Sequence, residues 1–281
     1  MNPLPDKQTS TLDIDDYNLD EALRLVSTFG SERFGYIVTP NVDHIIRHYH
    51  DSHFRSLYEQ AAYVFLDSRF LAHTVGLLKR QVLRVCLGSD LTTAVLGSVI
   101  KSLDVAVLVG GSAEQAQTLR ERYGLQSLFH IDPPMGFIRD PLAVEACLQQ
   151  IESIGKFRFC FLAIGSPQQE IIAQKLKERG KVRGLALCIG AAINFLTGVE
   201  RRAPRWMQEA GLEWLYRLSK NPGRLWKRYL VRGPTIFMLL WRIELRVRQS
   251  ASLPVVIREA STTRVPSQKT VPVTTTPGQA A

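Results

Sequence analysis

The chain has 281 residues, 45% of them hydrophobic and 22% charged, the balance of a globular protein long enough for one large domain or a domain with an appendage. Its formal net charge is +9. Twelve Lys or Arg against three Glu between positions 201 and 248 already sum to +9, so an anionic partner meets the chain there and nowhere else by net charge.

No apolar run approaches the roughly 20 residues that span a bilayer as a helix. The start of the chain is polar and acidic, without the basic stretch and apolar run of a signal peptide. Cys86, Cys147, Cys160 and Cys188 are spaced neither for zinc nor for a disulfide framework and read as reduced thiols.

In chain order, residues 1–18 read as a flexible leader. Leu19, Ala22, Leu23 and Val26 recur at helical spacing, which predicts a helix to Phe29, stopped by Gly30. FGYIVT (34–39) predicts a strand, and residues 41–49 a helix. AYVFL (62–66) predicts a strand ending at Asp67, with a helix over 69–78. Residues 82–87 predict a third strand, and residues 91–101 a helix. Residues 104–109 predict a strand running into Gly110-Gly111, followed by a helix over 113–123. A short strand over 125–131 leads to Asp132-Pro133-Pro134-Met135-Gly136. Pro141 suits the first turn of a helix over 140–154. FRFCFLAI (157–164) predicts a sixth strand, GSPQQE (165–170) opens a helix to Arg179, and residues 184–189 predict a seventh strand before Gly190.

Strands that are continuous apolar runs, alternating with helices, predict a mostly parallel, Rossmann-like α/β sheet flanked by helices over residues 19–200. Such sheets bind ligands at the carboxyl ends of their strands. After Arg201 short basic helices, punctuated by Pro204, Pro222 and Pro234, predict an appendage over 201–248. It holds all four Trp of the protein. Residues 249–281, rich in Thr, Pro, Val, Ser and Ala, read as a disordered tail.

Several strand ends carry groups with two readings each. Asp67 can be a general base or the N-cap of the helix that follows. Thr39 and Asn41 can bind a sugar or phosphate, or serve the turn around Pro40. Gln169 can bind sugar hydroxyls or cap its helix. Gly110-Gly111-Ser112 can bring backbone N–H groups up to a phosphate or be a tight turn. His44 is the most suggestive of six His, with the helix surface as its plainer place. Arg217, Arg224 and Arg228, seven and four apart, fall near one face of a helix and can grip a diphosphate. Arg mixed with Trp suits either a nucleic acid or an anionic bilayer surface.

Taken together, TPNVDH (39–44), the Asp67 strand end, GSDL (88–91), PPMGF (133–137), GSPQQE (165–170), RAPRW (202–206), GLEWLYRL (211–218) and PGRLWKRY (222–229) resemble the WecG/TagA/CpsF family of bacterial glycosyltransferases. The resemblance covers roughly residues 34–229. It implies an inverting transfer of a sugar from a UDP-sugar to a sugar on a polyprenyl diphosphate, without metal or cofactor, in surface-polysaccharide or wall-polymer synthesis. The absence of a DxD motif at a strand end agrees. It further implies Asp67 as catalytic base, Thr39, Asn41 and Gln169 as active-site polar groups, and Arg217 and Arg224, with Lys227 and Arg228 nearby, as ligands of the lipid diphosphate. The donor is then expected near Gly110, Gly111, Pro134 and Gly136, with Asn194 at a position that contacts the nucleotide. Ser68 stands where the family usually has Gly, and Asn194 where Asp is common. The expected place is the inner face of the plasma membrane, held peripherally, and self-association is compatible with such a domain. The competing expectations are a nucleic-acid-binding protein using the basic segment, disfavoured because the core has no nucleic-acid module, and a nucleotide-binding regulator without chemistry.

Overall fold

The computed structural model describes residues 10–30 and 32–248, which fall within one compact unit. Residues 1–9 of the expected leader and the expected tail, 249–281, lie outside the described residues.

The strands are β1 (Ser10–Asp15), β2 (Phe34–Val38), β3 (Tyr63–Val64), β4 (Ala106–Val109), β5 (Leu128–Ile131), β6 (Lys156–Leu162), β7 (Arg183–Cys188) and β8 (Ile243–Arg248). Six make the main sheet, in the order β3-β2-β7-β6-β4-β5, every pair parallel. Its inner strands are apolar on both faces because helices cover both. Tyr36, Leu108, Phe159 and Phe161 are almost wholly buried there.

The helices are α1 (Leu19–Thr28), α2 (Val42–His50), α3 (Ser52–Glu59), α4 (Arg69–Lys79), α5 (Gly88–Ala94), α6 (Ala113–Tyr123), α7 (Pro141–Ile154), α8 (Gln168–Arg179), α9 (Ala192–Leu196), α10 (Arg205–Glu209), α11 (Glu213–Lys220), α12 (Pro222–Trp226) and α13 (Thr235–Leu239). Wide turns at Val95–Val99 and Lys227–Arg232 extend α5 and α12. Local chemistry sets many of their starts. Asn18 and Glu21 form a capping box on α1, and Ser112 and Gln115 do the same on α6. Asp140 caps α7 ahead of Pro141 at its first turn. α2, α3, α7 and α8 pack in one group, and α1, α5, α6 and α9 in another.

Four expectations need correction. The leader is not free from residue 10: β1 pairs in parallel with β8, Ser10 opposite Ile243 and Asp15 opposite Arg248, and buries Leu12 and Ile14. The appendage is therefore helical only to Leu239 and ends as a strand. Residues 82–87 form no strand. They run extended, with the Cys86 N–H on the Leu66 carbonyl (3.0 Å) and the Arg84 N–H on Asp16 (2.7 Å). An apolar run becomes a strand only where a partner supplies a full ladder, and Val82 points to solvent at 87% exposure. Finally, α3 was not foreseen; Asp51 caps it by accepting the Phe54 N–H.

Candidate active site

A cleft of about 480 Å³ lies at the carboxyl ends of β2, β3 and β7. Thr39, Asn41, Asp67, Gly88 and Gln169 line its sheet side. Glu213, Trp214, Arg217, Arg228, Tyr229 and Phe237 line it from the segment after Arg201. The sheet order makes this possible, since β3, β2 and β7 are consecutive neighbours. The segment after Arg201 packs down through α13 on α2 and through Phe70 of α4, which meets Trp214 and Phe237 edge-on.

Asp67 is freed from the plainer of its two roles. Ser68 is the N-cap of α4, its hydroxyl accepting the Leu71 N–H at 3.1 Å. The Asp67 backbone N–H donates to the Pro40 carbonyl (2.9 Å), and its carboxylate accepts the Gly88 N–H (3.1 Å). Burial pushes its pKa from 3.8 up to about 7; Arg217 and the Gly88 N–H pull it down, while Glu213 and Asp90 add to the rise. A carboxyl poised near neutrality in a cleft is suited to taking a proton. Gly88 is required for this closeness: a Cβ there would sit 2.7 Å from the Thr39 hydroxyl oxygen.

Asn41 serves its turn and the cleft together. Its Oδ1 accepts from the Asp43 and His44 N–H groups as the cap of α2, and Arg228 Nη2 donates to the same oxygen at 3.3 Å. Gln169 does not cap α8. Its Oε1 accepts the Gly190 N–H (2.9 Å), and its Nε2 donates to Glu170 (3.0 Å). Glu170 is fully buried, and burial raises its pKa despite the Gln169 contact. Gln169 is thus pinned between α8 and the loop after β7. His44, taken at its plainest as a surface residue, is in fact 9% exposed and lines the cleft.

The residues expected to hold the donor are not among those lining this cleft. Gly110 and Gly111 follow β4 with φ of 86° and 74°. A Cβ on Gly110 would meet Ile164 at 2.7 Å, so close packing accounts for that glycine. Pro134 and Gly136 follow β5. β4 and β5 stand on the side of β6 away from β7 in the sheet. Asn194 is occupied internally, accepting from Gln115 (3.0 Å) and donating to Glu200 (3.1 Å).

The basic residues divide. Arg217 donates to Glu213 (2.7 Å) and lies over the Phe195 ring at 5.1 Å. Arg228 lies 3.7 Å from Asp43. Lys227 stacks on Trp226 instead, at 5.6 Å, and does not line the cleft. Arg224 falls in α12, and its side chain lies outside the described residues. Arg202, not foreseen as a site residue, pairs with Asp90 and also lies over the Phe195 ring, at 6.0 Å. Among the described residues, Arg202 Nε and Nη2, Arg217 Nε and Arg228 Nε are buried N–H groups without a partner. Donors left open in this way suit an anion.

Among the described residues no group of three or more His, Cys, Asp or Glu is placed to hold a metal ion, and no helix is long and apolar enough to cross a membrane. Trp206, Trp226, Trp241, Leu230, Val231 and Met238, all from the basic segment, are exposed.

The model of the glycosyl transferase WecG/TagA/CpsF family matches residues 8–250.

Proposed function

We propose that this chain, which belongs to the WecG/TagA/CpsF glycosyltransferase family, moves a sugar from a UDP-sugar to a sugar carried on a polyprenyl diphosphate, with inversion and without a metal. The family acts in cell-surface polymer synthesis. The observation that carries the finer reading is one cleft holding both a carboxyl with a pKa of about 7, Asp67, and two arginines with open N–H groups, Arg217 and Arg228.

In this reading the Asp67 carboxylate takes the proton from the acceptor hydroxyl. The hydroxyl oxygen bonds to the anomeric carbon as the bond from that carbon to the UDP oxygen breaks. The electron pair leaves with UDP, whose charge is met by guanidinium and backbone N–H groups. The acceptor diphosphate lies against Arg217 and Arg228, and we extend the same role to Arg224. Thr39, Asn41 and Gln169 contact the sugars. Residues 201–248 act as the acceptor-binding appendage of the catalytic domain. The exposed Trp and apolar side chains, among basic ones worth about 1 kcal/mol each near an anionic surface, dock it on the cytoplasmic leaflet.

The test is a screen of UDP-sugars against a short-chain prenyl-diphosphate-sugar, with and without a chelator. Transfer that survives the chelator, with the anomeric configuration inverted, is expected. Tight UDP binding with no transfer to any such acceptor would turn the protein into a regulator. DNA binding that survives moderate salt, with none to anionic vesicles, would move the basic segment to nucleic acid.

A further inference from the structure

We infer that His44 offers a neutral Nε2–H to an oxygen of the acceptor diphosphate, and that Tyr58 holds it in that tautomer. The inference rests on the acceptor reading above and adds a contact to it.

The ring of His44 is clamped on the side away from the cleft. The Tyr58 hydroxyl lies 3.1 Å from Nδ1, and Phe54 packs against the imidazole edge-on, centroids 6.1 Å apart. Tyr58 is itself 2% exposed, and His44 is its hydroxyl's one side-chain partner among the described residues. If Nδ1 carried the proton and donated, the hydroxyl would accept it and keep its own proton buried without an acceptor, which is costly. The hydroxyl therefore donates to Nδ1. The ring proton then sits on Nε2, the nitrogen left for the cleft that His44 lines.

The charges around the ring fit a neutral donor. Arg228 faces it from the 227–232 segment, Asp43 and Arg47 from its own helix, and Tyr58 from α3. Burial first, and then Arg228, lowers the imidazole pKa to about 3, against a smaller opposing pull from Asp43. An imidazolium here would repel Arg228. A neutral N–H instead adds a directed hydrogen bond to an oxygen whose charge Arg228 meets. Arg228 already reaches Asn41 and Asp43, so an anion it grips lies at the start of α2, beside His44. His44 is then a substrate-contacting donor and Tyr58 a positioning residue.

Histidine-selective isotope labelling and proton–nitrogen correlation spectroscopy test this, with His44 assigned by the signal missing from His44→Gln. The expected spectrum is a neutral Nε2–H ring from about pH 5.5 to 8, converted to a mixture of tautomers by Tyr58→Phe. Inorganic pyrophosphate should shift the Nε2 resonance in the wild type. In assays, Tyr58→Phe should raise the acceptor KM several-fold with kcat nearly kept, and His44→Gln should raise it at least about tenfold. A ring that titrates near its ordinary value, carries its proton on Nδ1, or ignores pyrophosphate concentrations that perturb Trp214 fluorescence would overturn the inference. The spectra need no turnover, so failure of sugar transfer with every donor would sink the functional reading separately.

Discussion

Replacing Asp67 by Asn should separate what this carboxyl does for chemistry from what it costs the fold. The amide keeps the shape, and its oxygen can still accept the Gly88 N–H now 3.1 Å away. In the unfolded chain the carboxyl titrates at 3.8, and in the folded protein at about 7. Below the lower value both states are protonated, and the native protein keeps its full stability. As pH rises between the two, the unfolded chain gives up a proton that the folded protein retains, so native stability falls; above about 7 the loss is complete and constant. A gap of about 3 units at about 1.4 kcal/mol each sets a ceiling of about 4 kcal/mol. Water reaching the open cleft reduces this to roughly 2 kcal/mol. The asparagine variant should therefore melt roughly 4–8 °C above the wild type at pH 8, with the gap closing toward pH 4. Its turnover should drop about 10²–10⁴-fold. Wild-type kcat/KM should climb with pH and level off above about 7. Thermal scans across pH, paired with the transfer assay, read both arms. Near wild-type turnover would remove Asp67 from the base role, and a melting gap that ignores pH would show that the carboxyl is not desolvated.

Gly184 has φ of +128°, and a Cβ there would sit 2.0 Å from the Phe157 carbonyl oxygen, where β6 shifts register against β7; Gly184→Ala should cost about 3 kcal/mol or more, seen as a lower denaturant midpoint or as insoluble protein. Ile14 is fully buried on β1, so Ile14→Ala should cost about 2–4 kcal/mol; an unchanged melting temperature would return residues 10–15 to the status of a dispensable leader. Arg228→Ala removes the contacts to Asn41 and Asp43 and should raise the acceptor KM about tenfold or more while the donor KM stays nearly constant; equal KM values for the acceptor would reduce this arginine to a structural tie.

Much of the core was legible because its signals are local. FRFCFL has Arg158 as its one polar side chain and apolar residues on both faces from Phe159 on, so it becomes the doubly covered strand β6. Asp140-Pro141 and Ser112-xx-Gln115 carry their caps within a single turn. Asp67 was legible as a group at a strand end, but its two roles were separable only when Ser68 proved to be the cap. STLDID alternates with the period of a half-buried strand, and its burial follows that alternation. Composition hid this, since the apolar face is only Leu12 and Ile14 and the partner is β8, more than 200 residues away.

What the amino-acid sequence settled by itself was therefore the α/β class, the starts of α1, α2, α4, α6, α7 and α8, the polar strand ends and the concentration of Arg and Trp after residue 200, because each depends on neighbours a few positions apart. Only the tertiary structure decided which strand ends share a cleft. Thr39, Asn41 and Asp67 meet at the ends of β2 and β3, Gln169 joins them from the start of α8 after β6, and Gly110, Gly111, Pro134 and Gly136, after β4 and β5, do not line that cleft. The contact of His44 with Tyr58, the approach of Arg217 to Asp67 and that of Arg228 to Asn41 are likewise contacts between separate segments, and packing of the whole chain is what sets them.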